Sequence, residues 1–181
     1  MNLRVQNTPG LFYSKTLLLL TILVAVFCYS QSTQASIAGP LCHVDAGGPP
    51  PGTGFGWFDA YTDLQSALAN EFCTEIWVAA GTYLPDGASP GDRSLSFVLK
   101  SGVAIYGGFF GDELFLDDRD PVANVTIQSG DIGLVGDTAD NSYNVVRGGG
   151  ADTTAILDGF TIAHGYASGD PGEDQAHGGG L

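Results

Sequence analysis

The feature that most restricts this chain lies between Glu75 and Ala163. There the apolar residues come in brief bursts, most of them three to five residues long, divided by clusters of Gly, Asp and Asn. Bursts of that length are too short for helices that bury a face, and they match strands bounded by turn residues. The segments are Glu75–Gly81, Ser96–Lys100, Val103–Tyr106, Asn124–Gln128, Tyr143–Arg147, Ala155–Leu157 and Gly159–Ala163. Two of them alternate: Phe97 and Leu99 against Ser96, Val98 and Lys100, and Val125 and Ile127 against Thr126 and Gln128.

Successive elements begin at Glu75, Ser96, Asn124, Tyr143 and Gly159, which are 21, 28, 19 and 16 residues apart. A loose period near 20, with no helices between the strands, predicts a mainly β solenoid in which each turn of chain stacks on the last. A two-sheet sandwich is the rival, but it favours Asn-Gly hairpin turns, and the chain has no such dipeptide. The short connections Lys100–Val103 and Leu157–Phe160 suit corners that lead one strand into the next face of a coil.

The N-terminal part is not fold. Arg4 and Lys15 are the only charges before Asp45, and they precede an apolar run, Leu17–Tyr29, broken only by Thr21. That run is shorter than the roughly 20 residues a membrane-spanning helix needs. Small and polar residues follow it, so residues 1–35 read as a secretory signal peptide, with cleavage after Ala35 or as late as Ala38. About 145 residues then remain, enough for one domain with its own core.

Loss of Arg4 and Lys15 lowers the basic count from 6 to 4 against 20 acids, a net charge near −16. Such a surface excludes nucleic acid as a partner, because phosphates require clustered Lys and Arg. Cys42 and Cys73 are the two cysteines left, and an even count in a secreted chain predicts a disulfide closing a loop of about 30 residues. One short helix is expected over 63–71. Thr62 and Gln65 fit a capping box, and Leu64, Ala67, Leu68 and Phe72 share a face.

The order of motifs CHVDA, YTDLQSALA, CTEIWVAAGTYLP, SFVLKSGVAIYGGF, RDPVANVTIQSGDI, NSYNVVRG and LDGFTIAHGYA resembles the N-terminal part of secreted bacterial right-handed parallel β-helix proteins. These have the pectin-lyase-like fold, and many are similar to polymorphic outer-membrane protein repeats. The likeness spans about 40–181. It implies that residues 39–73 form an N-terminal cap whose helix covers the first rung. It implies too that 74–181 form the first coils of a β-helix, and that Cys42 and Cys73 tie the first strand to the second rung.

No set of catalytic residues is complete. Ala163-His164-Gly165 holds only a fragment of the Gly-His-Gly segment of polygalacturonase-like hydrolases, and Asp117-Asp118-Arg119-Asp120-Pro121 reads as a polar loop with Arg119 paired to a neighbouring acid. No serine-hydrolase elbow, zinc motif or phosphate loop is present. His43, His164 and His177 are scattered and read as surface or loop residues. Asp131, Asp137 and Asp140, with Asn141, supply oxygen ligands suited to calcium, but Asp and Asn are also ordinary turn residues, which is the expectation here. No cofactor is expected. Trp57, Phe58, Tyr61, Trp77, Tyr83, Tyr106, Phe109 and Phe110 are able to stack on sugars, with core packing the default.

The first functional expectation is a non-catalytic adhesin-like protein or structural stalk, extracellular or on the bacterial cell surface or outer membrane. The alternatives are a carbohydrate-active β-helix enzyme, lyase or glycoside hydrolase-like, and a glycan-binding module without turnover. Expected partners are extracellular glycans or proteins, with no membrane contact beyond the signal peptide. Gly178-Gly179-Gly180-Leu181 resembles the entry to a further coil, so the sequence reads as an N-terminal fragment with end-to-end association through its C-terminal face.

Overall fold

The computed structural model describes residues 39–50, 52–87 and 90–168. Residues 1–38, where a signal peptide is expected, His177 and the terminal glycines lie outside the described residues. The described chain is mainly strand, all of it paired in parallel. The strands are β1 Leu41–Val44, β2 Glu75–Ala79, β3 Gly81–Tyr83, β4 Phe97–Val98, β5 Ala104–Phe109, β6 Thr126–Ser129, β7 Val146–Arg147, β8 Ile156–Asp158 and β9 Phe160–Ala163. They form three sheets of order β1-β2-β5-β8, β3-β6-β9 and β4-β7.

Each passage of chain visits the sheets in the same sequence. The Lys100–Val103 turn leads from β4 in the third sheet to β5 in the first, and Asp158-Gly159 leads from β8 in the first to β9 in the second. Both short connections therefore join strands of different sheets. Gly159 turns its corner at φ 81°, and a Cβ there would lie 2.6 Å from the Gly107 carbonyl, so glycine is needed twice over.

The strand starts spaced near 20 residues do not fall in one register row. Leu41, Glu75, Ala104 and Ile156 stand in one register row, at separations of 34, 29 and 52 residues. The shorter spacing mixes strands of different sheets, and loops of unequal length, above all 110–125 and 130–145, stretch the true interval.

The core lies on the inner face of the first sheet. Cys42, Ile76, Ile105 and Leu157 form one register row, and Val44 and Val78 belong to the next inward row. Tyr83 and Phe97 from the other sheets, and Val145 just before β7, close the same cluster, joined by Leu64, Ala67 and Leu68 of the helix. Cys42 and Cys73 form a disulfide with Cα atoms 5.6 Å apart, joining β1 to the residues just before β2. In the chain-entropy account a loop of that span contributes about 3–4 kcal/mol.

Helix α1 is Leu64–Ala69, shorter than the expected 63–71, and its cap differs. Asp63, not Thr62, is the N-cap: its carboxylate accepts from Ser66 N and from Ser66 Oγ, each at 2.7 Å. A charged acceptor holding two donors outcompetes a threonine hydroxyl. The shift frees Gln65 to donate Nε2 to the carbonyls of Pro85 (2.7 Å) and Ser96 (3.1 Å), which ties the helix to later turns. Phe72 lies beyond the helix end and is 77% exposed, so it is not part of the buried face.

Strand β6 inverts its apolar pattern. Thr126 and Gln128 are buried, whereas Val125 is exposed. Hydrogen bonding decides this for Thr126, whose Oγ1 accepts from Gly108 N at 2.9 Å in the corner between sheets. Gln128 has no such account: its amide is fully buried and neither Nε2 nor Oε1 has a partner among the described residues. Burying an unsatisfied amide is costly, so the shape-matched Gln128→Met should raise stability by about 1–2 kcal/mol in denaturant unfolding. A loss of stability in that variant contradicts the assignment.

Candidate functional site

Alternation in the first sheet sends a second row outward: His43, Trp77, Tyr106 and Asp158 stand in register on β1, β2, β5 and β8. The row begins with aromatic rings and ends in an ion pair. Arg119 crosses the Tyr106 ring, 5.0 Å from its centroid, donates Nη1 to the Gly107 carbonyl and pairs through Nη2 with Asp158. The Asp158 carboxyl is held below the usual carboxylate range, chiefly by the hydrogen bond from Arg119. The acid that Arg119 meets is thus not a neighbour in its own loop, as expected, but Asp158 on β8, 39 residues along the chain.

At the other end of the row the rings cluster. The register of β2 on β5 slips between Val78 and Ala79: Val78 faces Gly107, and Ala79 faces Phe109. Gly108 is the extra residue of this bulge. Without it Phe109 would point into the core; with it Phe109 takes an outward position and stacks on Trp77, with centroids 4.7 Å apart at 12°. His43 meets Trp77 edge-on at 5.7 Å and Trp57 edge-on at 4.6 Å, and Trp57 also touches Phe109 at 5.5 Å.

Trp57 comes from a short 3-10 turn, Trp57–Asp59, and is fixed from across the cleft: its Nε1 donates to the Glu113 carbonyl at 3.0 Å. Trp77 Nε1 donates to Glu75 Oε1 at 2.7 Å. The Glu113 carboxylate gathers the loop around itself, accepting backbone N–H groups from Phe110 (2.6 Å), Gly111 (3.0 Å) and Asp112 (3.1 Å). Burial pushes the Glu113 carboxyl up, but these donors together outweigh it and hold the group below its ordinary value. Glu113 is thereby charged at neutral pH.

Between these parts lies an open cleft of about 710 Å³. Its floor and walls are Leu41, His43, Trp57, Phe58, Trp77 and Leu114, and Asp112 and Glu113 stand on one side. Phe58 and Leu114 are strongly exposed. His43 is not a surface or loop histidine as expected: it lies in β1 and is buried, with Nδ1 3.3 Å from the Gly54 carbonyl. That contact makes Nδ1 the donor, since a carbonyl only accepts. Burial lowers the His43 pKa, and the bond to Gly54 offsets this only in part.

The remaining candidates stay apart. Asp117 and Asp118 lie exposed on a short 3-10 turn, Leu116–Asp118, and Asp118 accepts from Phe115 N. His164 is exposed at φ 62°, with Nδ1 3.0 Å from Ser129 Oγ. Asp131 accepts from Gly136 N, Asp137 from Ala139 N and Asp140 from Leu134 N, so each carboxylate builds its own loop. Among the described residues no group of three or more His, Cys, Asp or Glu side chains is placed to hold a metal ion. Of the aromatics named from sequence, Trp57, Phe58 and Trp77 line the cleft, Phe109 supports it and Tyr83 is core. Asp112, Glu113 and the Gly108 bulge were not legible; no pairing signal in GGFFGDEL marks which glycine is the extra residue.

Comparison with known protein families, curated proteins and solved structures finds no match for this chain.

Two outcomes test this geometry. Gly108 sits at φ 96°, and a Cβ there would lie 2.7 Å from Pro121 Cα. Gly108→Ala should therefore cost about 2 kcal/mol or more and shift tryptophan emission to the red as Phe109 leaves Trp77; unchanged emission and stability contradict the bulge. His43 binds its proton less readily in the fold than its ordinary value of 6.5. Its contribution to stability is complete above that pH and declines as pH falls through it toward the lowered folded pKa. Unfolding midpoints measured from pH 7.5 down to 5 should fall less steeply in His43→Gln than in the parent; equal slopes contradict the assignment.

Proposed function

We propose that this chain is an extracellular or cell-surface, non-catalytic right-handed parallel β-helix, of the kind similar to polymorphic outer-membrane protein repeats. In this reading its outer aromatic cleft is a binding site. The single observation that carries the reading is the repeated visit to three parallel sheets in constant order, β2-β3-β4 followed by β5-β6-β7 and then β8-β9. A chain that keeps returning to the same three sheets is a stack of coils, with residues 39–73 as its N-terminal cap.

Binding rather than turnover is supported by what the polar side chains already do. Arg119 is engaged by Asp158, Tyr106 and Gly107; Glu113 by its own loop; and His164 by Ser129. A general acid–base pair needs groups free to converge on one reacting position, and each of these side chains is already held by partners of its own. The cleft also favours recognition over a purely structural stalk, because a stalk has no need of Trp57 held open against Glu113.

The purified mature chain should release no new reducing ends or unsaturated products from a panel of neutral and acidic polysaccharides. Robust depolymerisation that disappears in His164→Ala or Asp158→Asn overturns the non-catalytic reading.

A further inference from the structure

We propose that the cleft between Trp57, Trp77 and the 110–114 loop takes an organic cation, a quaternary or N-methylated ammonium group. The inference rests on the binding-site reading above and names its ligand class. It follows from what the walls offer and what they lack.

They offer π-surface and negative charge. Trp57 and Phe58 bring accessible aromatic rings to one cavity above the buried edge of Trp77, and Asp112 and Glu113 stand beside them. The Asp112 carboxylate is exposed and makes no hydrogen bond among the described residues. Among the described residues no Lys or Arg lines the cleft. A cation over aromatic faces gains roughly 0.5–2 kcal/mol, and nearby carboxylates add to the attraction.

They lack side-chain donors. Trp57 Nε1 is committed to Glu113 O and Trp77 Nε1 to Glu75. His43 is neutral by burial and spends its one N–H on Gly54. An anionic ligand would find carboxylates and no positive partner. A sugar would leave hydroxyl acceptors without donors from these side chains. A quaternary ammonium group needs neither donor nor acceptor: it is apolar at its methyl surface and charged within. Asp112 at the mouth and the whole chain's net charge of −14 complement it.

The test titrates the mature chain with choline at constant ionic strength, following tryptophan fluorescence and heat. Three companions run in parallel: 3,3-dimethyl-1-butanol, the neutral analogue of the same shape; phosphocholine; and a neutral oligosaccharide. Choline should saturate, the neutral analogue should bind about tenfold more weakly, and phosphocholine should bind more weakly than choline because its phosphate meets Asp112 and Glu113. Asp112→Asn, an exposed change expected to leave circular dichroism intact, should weaken choline severalfold; Trp57→Ala should abolish its signal. Equal binding of the neutral analogue, tighter binding of phosphocholine or the oligosaccharide, or no saturation at tens of millimolar choline overturns the proposal. A chain that binds none of these and yet degrades no polysaccharide loses this inference while the non-catalytic reading stands.

Discussion

The parallel register of the first sheet is the constraint on which everything else depends. One ladder of backbone hydrogen bonds, β1 on β2 on β5 on β8, aligns Cys42, Ile76, Ile105 and Leu157 on the inside and His43, Trp77, Tyr106 and Asp158 on the outside. Because strand side chains alternate with a period of two, a slip of one residue would exchange these rows. The core would then receive an ion-paired aspartate and the surface would lose its aromatic floor. Core and cleft are opposite faces of the same pairing, and neither is specified without the other.

The bulge at Gly108 is where this arrangement departs from regularity, and the departure makes the cleft. An extra residue brings Phe109 out to Trp77 and starts the loop that Glu113 closes around its own carboxylate. The Glu113 carbonyl in turn fixes Trp57, which arrives from the stretch before the helix. Three segments distant in sequence therefore converge through one backbone irregularity and one half-buried carboxylate. The opposite end of the outward row is closed by Arg119 over Tyr106, so the ladder's surface is aromatic at one end and ionic at the other.

Much of the scaffold was legible in the sequence, because strand length, alternation and corner glycines are local properties. Phe97 and Leu99 turn inward as their alternation suggests, the corners at 100–103 and 158–159 are where glycine allows them, and the two cysteines join. What was not legible depends on partners far along the chain. Thr126 is buried by a hydrogen bond from Gly108, His43 by rings on Trp57 and Trp77, and the Asp63 cap wins over Thr62 by a second bond to Ser66. Row membership is hidden for the same reason: loops of unequal length mask which strands share a row. The site was half visible. Its aromatics stood out as residues, but their gathering on one outer face requires the bulge.

The most direct test of this account is a set of proton–proton contacts measured by nuclear magnetic resonance on the folded chain. Parallel register predicts contacts from Cys42 to Ile76 and from Ile76 to Ile105 on one face. On the other it predicts contacts from His43 to Trp77, together with contacts between the Trp77 and Phe109 rings. Antiparallel cross-strand contacts between these segments, or a Phe109 ring in contact with Ile105 and Val78 instead of Trp77, would contradict it.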